Sequence, residues 1–229
     1  MAYGFRATNS GSGSVQIDRG FFNLALLDKV DVTSGDYSTA PVGTSGAAVS
    51  LLIYQATSVD MPILAWRSSV KVTPFNTYRN GNVWTFRFMV LGSQQVVTIF
   101  RFGKPPVLGA GFGLRQKFNG EVTFDSRLKY LRRIARVTPG TGSVPSGKTY
   151  AAMLSNPGYT INRVVVQDGF GQWRRTETRT QASFFFTSGG WEYSALEYYN
   201  FIGSQSSNPG NLQVNKLGGY ASLIDVTGY

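Results

Sequence analysis

One phrase occurs twice in this chain, and the repetition restricts what the chain can fold into. Near the start it reads Tyr3-Gly4-Phe5-Arg6, then Asn9, then Gly13-Ser14-Val15-Gln16-Ile17-Asp18. In the middle it reads Phe112-Gly113-Leu114-Arg115, then Asn119-Gly120-Glu121-Val122-Thr123-Phe124-Asp125. Each copy runs aromatic-Gly-apolar-Arg, crosses a polar stretch with Asn and Gly, and ends in an alternating segment closed by Asp. Alternation on either side of a Gly-containing turn is the pattern of a β-hairpin. A repeated hairpin is a building part and not a catalytic centre.

The composition agrees with many short strands. Glycine accounts for 27 of 229 residues and aromatics for 14 %, against only 15 % charged, whereas soluble domains run near a quarter charged. Gly, Ser, Thr and aromatics favour strands joined by tight turns. The apolar share of 42 % is too high for a disordered chain, and the length allows one large domain or two of ordinary size.

Chemistry is constrained by what is missing. The chain has no Cys and no His, which removes disulfides, thiolates, Ser-His-Asp and Cys-His pairs and nearly all zinc sites. The four Glu and eight Asp form no spaced acidic motif. Asp18 and Asp125 hold equivalent places in the two copies, and the same structural job done twice, an Asx-type cap on the following turn, explains them better than a carboxylate pair. Gly11-Ser12-Gly13-Ser14 lacks the Gly-Lys-Ser/Thr ending of a phosphate loop, and Gly109-Ala110-Gly111-Phe112-Gly113 precedes no dinucleotide-type helix. The expectation is a non-enzymatic protein with no cofactor and no metal. The start of the chain shows no basic segment followed by an apolar run, and no stretch approaches the roughly 18–20 apolar residues of a membrane span. Synthesis in the cytosol without membrane insertion is therefore expected.

Along the chain, strands are expected at residues 5–7 and 14–18, at 21–27, at 49–54 and at 62–66. Residues 33–48 read as a loop. Asn80-Gly81-Asn82 marks the clearest turn, and after it Trp84, Phe86, Phe88 and Val90 share one face while Thr85 and Arg87 take the other. Residues 96–102 alternate with both faces partly covered. The stretch 128–137 fits an amphipathic helix or a strand, and analogy with the first copy favours strand. Residues 163–167 and 173–186 read as strands, the latter as one or two long ones, and residues 212–214 and 220–226 alternate again.

The second copy, from Phe112-Gly113-Leu114-Arg115 through Asn119-Gly120-Glu121-Val122-Thr123-Phe124-Asp125-Ser126-Arg127-Leu128-Lys129-Tyr130, resembles a phrase common in small structural proteins of tailed bacteriophages, described as minor tail, tail-tip or fibre-associated proteins. The strand at 96–102 followed by Pro105-Pro106 resembles them too, so the likeness spans residues 3–137. It implies a virion component that is assembled in the host cytoplasm and works outside it, in contact with copies of itself and other virion proteins; the alternatives are a host-surface glycan-binding module of the tail and a capsid-associated decoration or adaptor protein.

Aromatic residues crowd the remainder. On a strand, Phe185 must point opposite to Phe184 and Phe186, so two faces need cover. Phe184, Phe185, Phe186, Trp191, Tyr193, Tyr198 and Tyr199 are candidates for an oligomer interface. An intrachain two-layer core is the second account of them, and a surface that stacks on host-surface glycans the third. The excess of 22 Lys and Arg over 12 Asp and Glu gives a net charge of +10. Nucleic acid would require Arg132, Arg133, Arg136, Arg174, Arg175 and Arg179 on one continuous face, and their scatter among strands argues against it. The expectation is an all-β protein of antiparallel, sandwich-like sheets in two β units: residues 1–137, a Gly/Pro/Ser linker at 138–149, and a second domain or extension at 150–229.

Overall fold

The computed structural model describes residues 4–9, 13–18, 23–36, 48–154, 158–168, 170–205, 207–216 and 219–229. The described residues contain no α-helix. They form antiparallel strands throughout, as the alternation and the turn residues require.

Both copies of the repeated phrase are hairpins. In the first, β1 (Gly4–Asn9) pairs with β2 (Gly13–Asp18), with Gly4 opposite Asp18. The strands that follow are β3 (Ala25–Thr33), β4 (Val49–Thr57), β5 (Ile63–Arg67), β6 (Val72–Asn80), β7 (Val83–Leu91) and β8 (Val96–Gly103). β6 and β7 turn through two residues, Gly81-Asn82, and Gly81 takes φ 57°, the positive value a primed hairpin turn needs at its first central position. The second copy is β9 (Arg115–Phe118) with β10 (Glu121–Asp125). Its turn is Asn119-Gly120 with both φ values positive, at 50° and 83°, as a type I′ turn demands. Here Asp125 lies opposite Arg115, so the two copies share their form but not their register.

The rest of the chain adds β11 (Arg133–Val137), β12 (Gly140–Ser143), β13 (Tyr150–Leu154), β14 (Tyr159–Gln167), β15 (Trp173–Phe186), β16 (Gly190–Gln205), β17 (Leu212–Asn215) and β18 (Ala221–Asp225). Of the stretch 128–137, only the second half is strand. β3 starts later than the apolar run at 21–27 suggests and continues to Thr33; residues 21 and 22, and 37–47 of the expected loop, lie outside the described residues.

Two large sheets result. One has the order β11-β18-β13-β5-β8-β3, the other β12-β16-β15-β6-β7-β4. Strands from either side of residues 138–149 are neighbours in both, and those residues themselves hold β12, paired to β16. Glycine makes that pairing possible. A Cβ on Gly142 would come within 2.6 Å of the Trp191 ring, so only a bare backbone can cross the indole.

The main core is buried between these sheets. Trp66 of the first meets Phe88 of the second edge to face, with ring centroids 5.6 Å apart. Val97 and Ile99 of β8, Leu52 of β4, Tyr150 of β13 and Phe184 of β15 belong to the same cluster. Phe86, Phe88 and Val90 share it, as alternation predicts, while Met89 on the opposite face is buried in a separate small cluster with Val49 and Leu196. Phe100 and Phe102 pack on the far side of the six-stranded sheet, which is why β8 is apolar on both faces.

Each large sheet is joined at a narrow point. β15 meets β6 through the pair Phe184–Val72, and β13 meets β5 through Ala152–Trp66. Pro74 explains the first. It has no N–H to continue a ladder, so β6 parts from β15 there, and β14 takes its place along residues 173–181. The last contacts before the fork are hydrogen bonds from Gln181 Nε2 to the Pro74 carbonyl at 2.7 Å and from Thr73 Oγ1 to the Ala182 carbonyl at 2.6 Å.

Phe184→Ala is expected to cost about 3–5 kcal/mol, the usual effect of emptying a buried Phe site. Phe185→Ala, on the opposite face, is expected to cost less than half as much. Urea unfolding of the two variants beside the parent checks both values.

Candidate assembly interface

The seven aromatic residues singled out by the sequence do not share one surface. Phe184, Phe186 and Tyr193 are core residues, and Trp191 stacks on Phe184 at 5.6 Å with the ring planes 20° apart. Burial pushes the Tyr193 hydroxyl pKa up. These four follow the intrachain account. Phe185 points the other way and is half-buried; an open groove of about 600 Å³ is lined by Phe185 and Phe186 with Arg67, Ser68, Thr98 and Thr187, and the Arg67 guanidinium lies over the Phe186 ring at 5.0 Å. Tyr198 packs edge-on against Phe75, and Tyr199 lies under the Arg179 guanidinium at 4.7 Å.

Beyond the fork, β15 and β16 run on with β14 and β17 as a four-stranded arm of order β17-β14-β15-β16. Val165 of β14 is buried on one face of this arm, and a charge cluster lies beside it. Here the fixed point is a carboxylate. Arg175, Glu177 and Arg179 share a face of β15 by alternation, and Arg163 of β14 sits directly opposite Glu177. Glu177 is fully buried. Its Oε2 accepts hydrogen bonds from Arg163 Nε at 2.6 Å and from the Arg175 guanidinium at 2.5 and 3.1 Å, while Oε1 accepts from Arg179 Nε at 2.7 Å. Burial alone would raise its pKa. The hydrogen bonds from Arg163, Arg179 and Arg175 outweigh that and bring it to about 2.

The other face of the arm is bare. Val164 and Val166 of β14 are 47 % and 59 % exposed, and Phe170 in the turn between β14 and β15 is 94 % exposed. That turn is well tied. Asp168 Oδ1 accepts hydrogen bonds from the backbone N–H of Phe170 at 3.0 Å and of Gln172 at 2.9 Å.

Asp125 does cap its turn: Oδ1 accepts from the Arg127 backbone N–H at 3.1 Å. It also binds both guanidiniums, Arg127 through Nε at 2.9 Å and Nη2 at 2.7 Å, and Arg115 through Nε at 3.0 Å. Those hydrogen bonds, led by Arg127, hold its carboxyl well below the usual range. The two arginines in turn hold the carbonyls of Leu108 and Gly109, which fixes the glycine-rich loop as structure. Asp18 ends β2; its side chain, like Gly11 and Ser12 of the nearby loop, lies outside the described residues.

The basic residues are dispersed, and several of them are engaged. Arg132 pairs with Asp225 at 3.5 Å, and Arg136 covers the Tyr220 ring at 3.7 Å. Arg174 lies on the face of β15 opposite to Arg175 and Arg179, which Glu177 binds. The continuous stripe that a phosphate backbone would need is therefore not formed by Arg132, Arg133, Arg136, Arg174, Arg175 and Arg179. Among the described residues, no three acidic side chains converge as a metal site would require. Comparison with models of known protein families, with curated proteins and with solved structures finds no match to this chain.

Sequence reasoning missed the Glu177 cluster. Its signal was present in Arg175-x-Glu177-x-Arg179, which puts three charges on one strand face, but the partner Arg163 is supplied by pairing alone. Because the folded pKa of Glu177 is depressed from 4.5 to about 2, its stabilisation is complete above about pH 4.5 and is lost as the pH falls toward 2. Glu177→Gln leaves three guanidiniums without their counter-charge and is expected to cost about 3–5 kcal/mol at neutral pH. It should also flatten the acid dependence between those limits, as urea unfolding at pH 7 and pH 3 would show.

Proposed function

We propose that this chain is a non-enzymatic structural component of a tailed-bacteriophage virion, a β-sandwich subunit of the tail or tail tip. It holds its place through copies of itself and other virion proteins, is assembled in the host cytoplasm, and acts in the released particle. One observation carries the reading: an arm of four strands runs on beyond the fork with Val164, Val166 and Phe170 exposed. Apolar residues clustered on a projecting element mark a contact surface. The phrase repeated as two hairpins, and its likeness to phage tail proteins, supplies the biological setting. Arg163, Arg175 and Arg179 are engaged by Glu177, Arg115 and Arg127 by Asp125, and Arg132 by Asp225, and the reading calls on neither nucleic acid nor a cofactor.

The groove beside Phe185 favours a second reading, in which the protein also touches a host-surface glycan. Phe185, Phe186 and the hydroxyls of Ser68, Thr98, Thr187 and Ser188 line it, and rings and hydroxyls are the groups that stack on and hydrogen-bond a sugar. In that case Phe185→Ala abolishes retention on immobilised host glycans without changing the fold.

Quantitative mass spectrometry of purified particles of the phage that encodes this chain tests the main reading. The chain is expected at a fixed small copy number per particle, retained through salt washing. Its absence from particles, with full abundance in the soluble lysate, would contradict the assignment.

A further inference from the structure

The loop that precedes β9 holds apolar side chains out in solvent. Phe112 is fully exposed, Val107 is 77 % exposed and Leu114 57 %. The backbone that carries them is anchored. Arg115 Nη2 donates to the Leu108 carbonyl at 2.7 Å, and Arg127 Nη1 to the Gly109 carbonyl at 3.1 Å. At the far end, the Leu114 N–H donates to Ser126 Oγ and the Ser126 N–H to the Leu114 carbonyl, each at 2.9 Å. The ring of Phe112 is thus presented by a tied backbone and not by a frayed end.

Positive charge surrounds the same loop. Arg115 and Arg127 share one carboxylate, Asp125, so their cluster keeps one positive charge in excess. The two guanidiniums line an open pocket of about 190 Å³, together with Gly109, Ala110 and the glycines on either side of Phe112. Arg115 Nη1 and the backbone N–H groups of residues 110–113 make no hydrogen bond among the described residues. Free N–H groups beside guanidiniums are the donors an anion takes. Lys117 is exposed and alternates onto the same face of β9 as Arg115. Across residues 104–130, five cationic side chains stand against Glu121 and Asp125 alone.

We propose that this loop docks on a bilayer surface containing anionic phospholipid. Phe112 and Leu114 enter the boundary between headgroups and acyl chains, and a lipid phosphate seats in the pocket between Arg115 and Arg127. Charge complementarity selects this occupant. A projecting ring needs an apolar medium, the pocket beside it needs an anion, and an anionic bilayer interface supplies both at one depth. An acidic protein would answer the cations, but it would also have to present a hollow for Phe112. The contact is peripheral, and it uses none of the arm residues invoked for assembly.

Flotation of the whole chain with phosphatidylcholine vesicles, with and without about one-third phosphatidylglycerol, tests the contact. The parent should float with the anionic vesicles, weakly with the neutral ones, and less as salt is raised. Phe112→Asp should weaken binding at least about tenfold, and Lys117→Glu about fivefold. Phe170→Asp, at the arm tip, should bind as the parent does. Circular dichroism shows whether each variant keeps its strands. Phe112→Trp keeps an apolar ring and reports on the site even if the Asp variant misfolds: its emission should shift to the blue with anionic vesicles, relative to the parent. A parent that fails to float with anionic vesicles, equal binding to neutral ones, binding indifferent to Phe112→Asp, or an unshifted Phe112→Trp emission would overturn the proposal. So would saturable binding of inorganic phosphate, followed by NMR, in a chain that leaves vesicles alone, since the ligand would then be a free anion. The virion assignment stands or falls separately, on the content of purified particles.

Discussion

Phe184 is the point where the structure is joined. Its backbone makes the pair with Val72 that links β15 to β6, and its ring meets Phe186, Trp191 and Tyr193 in the buried layer between the two large sheets. Everything before it on β15 belongs to the arm, and everything after it to the body. A junction one residue pair wide cannot rely on a hydrogen-bond ladder, so packing of this aromatic layer must supply the cohesion. Aromatic groups suit the task because each buries a large area and prefers tilted or offset neighbours, as these rings do.

From that junction the arm follows by elementary constraints. Pro74 stops the ladder on one side, and β14 replaces β6 along β15. The inner face of the arm buries Val165 beside a charge cluster. Glu177 surrounded by Arg163, Arg175 and Arg179 organises two strands around one carboxylate, at the cost of desolvating it. Ion clusters of this kind add less net stability than a hydrophobic core would.

Much of this was legible in the sequence, because the readable parts are local. Alternation placed Phe184 and Phe186 opposite Phe185, the Asn-Gly dipeptide marked the β9–β10 turn, and Asp125 followed by Ser126 and Arg127 announced a cap. The rest depends on partners far along the chain. β12 was hidden in a Gly/Pro/Ser stretch that reads as linker, since Gly142 is required only because Trp191 passes beneath it. Arg175 and Arg179 read as surface charge until pairing brought Arg163 and buried Glu177 between them.

The central claim is that the arm, and not the edges of the large sheets, carries the contact that puts this protein to use. Amide hydrogen exchange, read by mass spectrometry on the free chain and on the chain in intact particles, tests it most directly. The account predicts strong slowing in the particle for residues 159–180, with β3 and β4 at the sheet edges unchanged. Slowing confined to β3 or β4, with the arm exchanging as it does in the free chain, would contradict it.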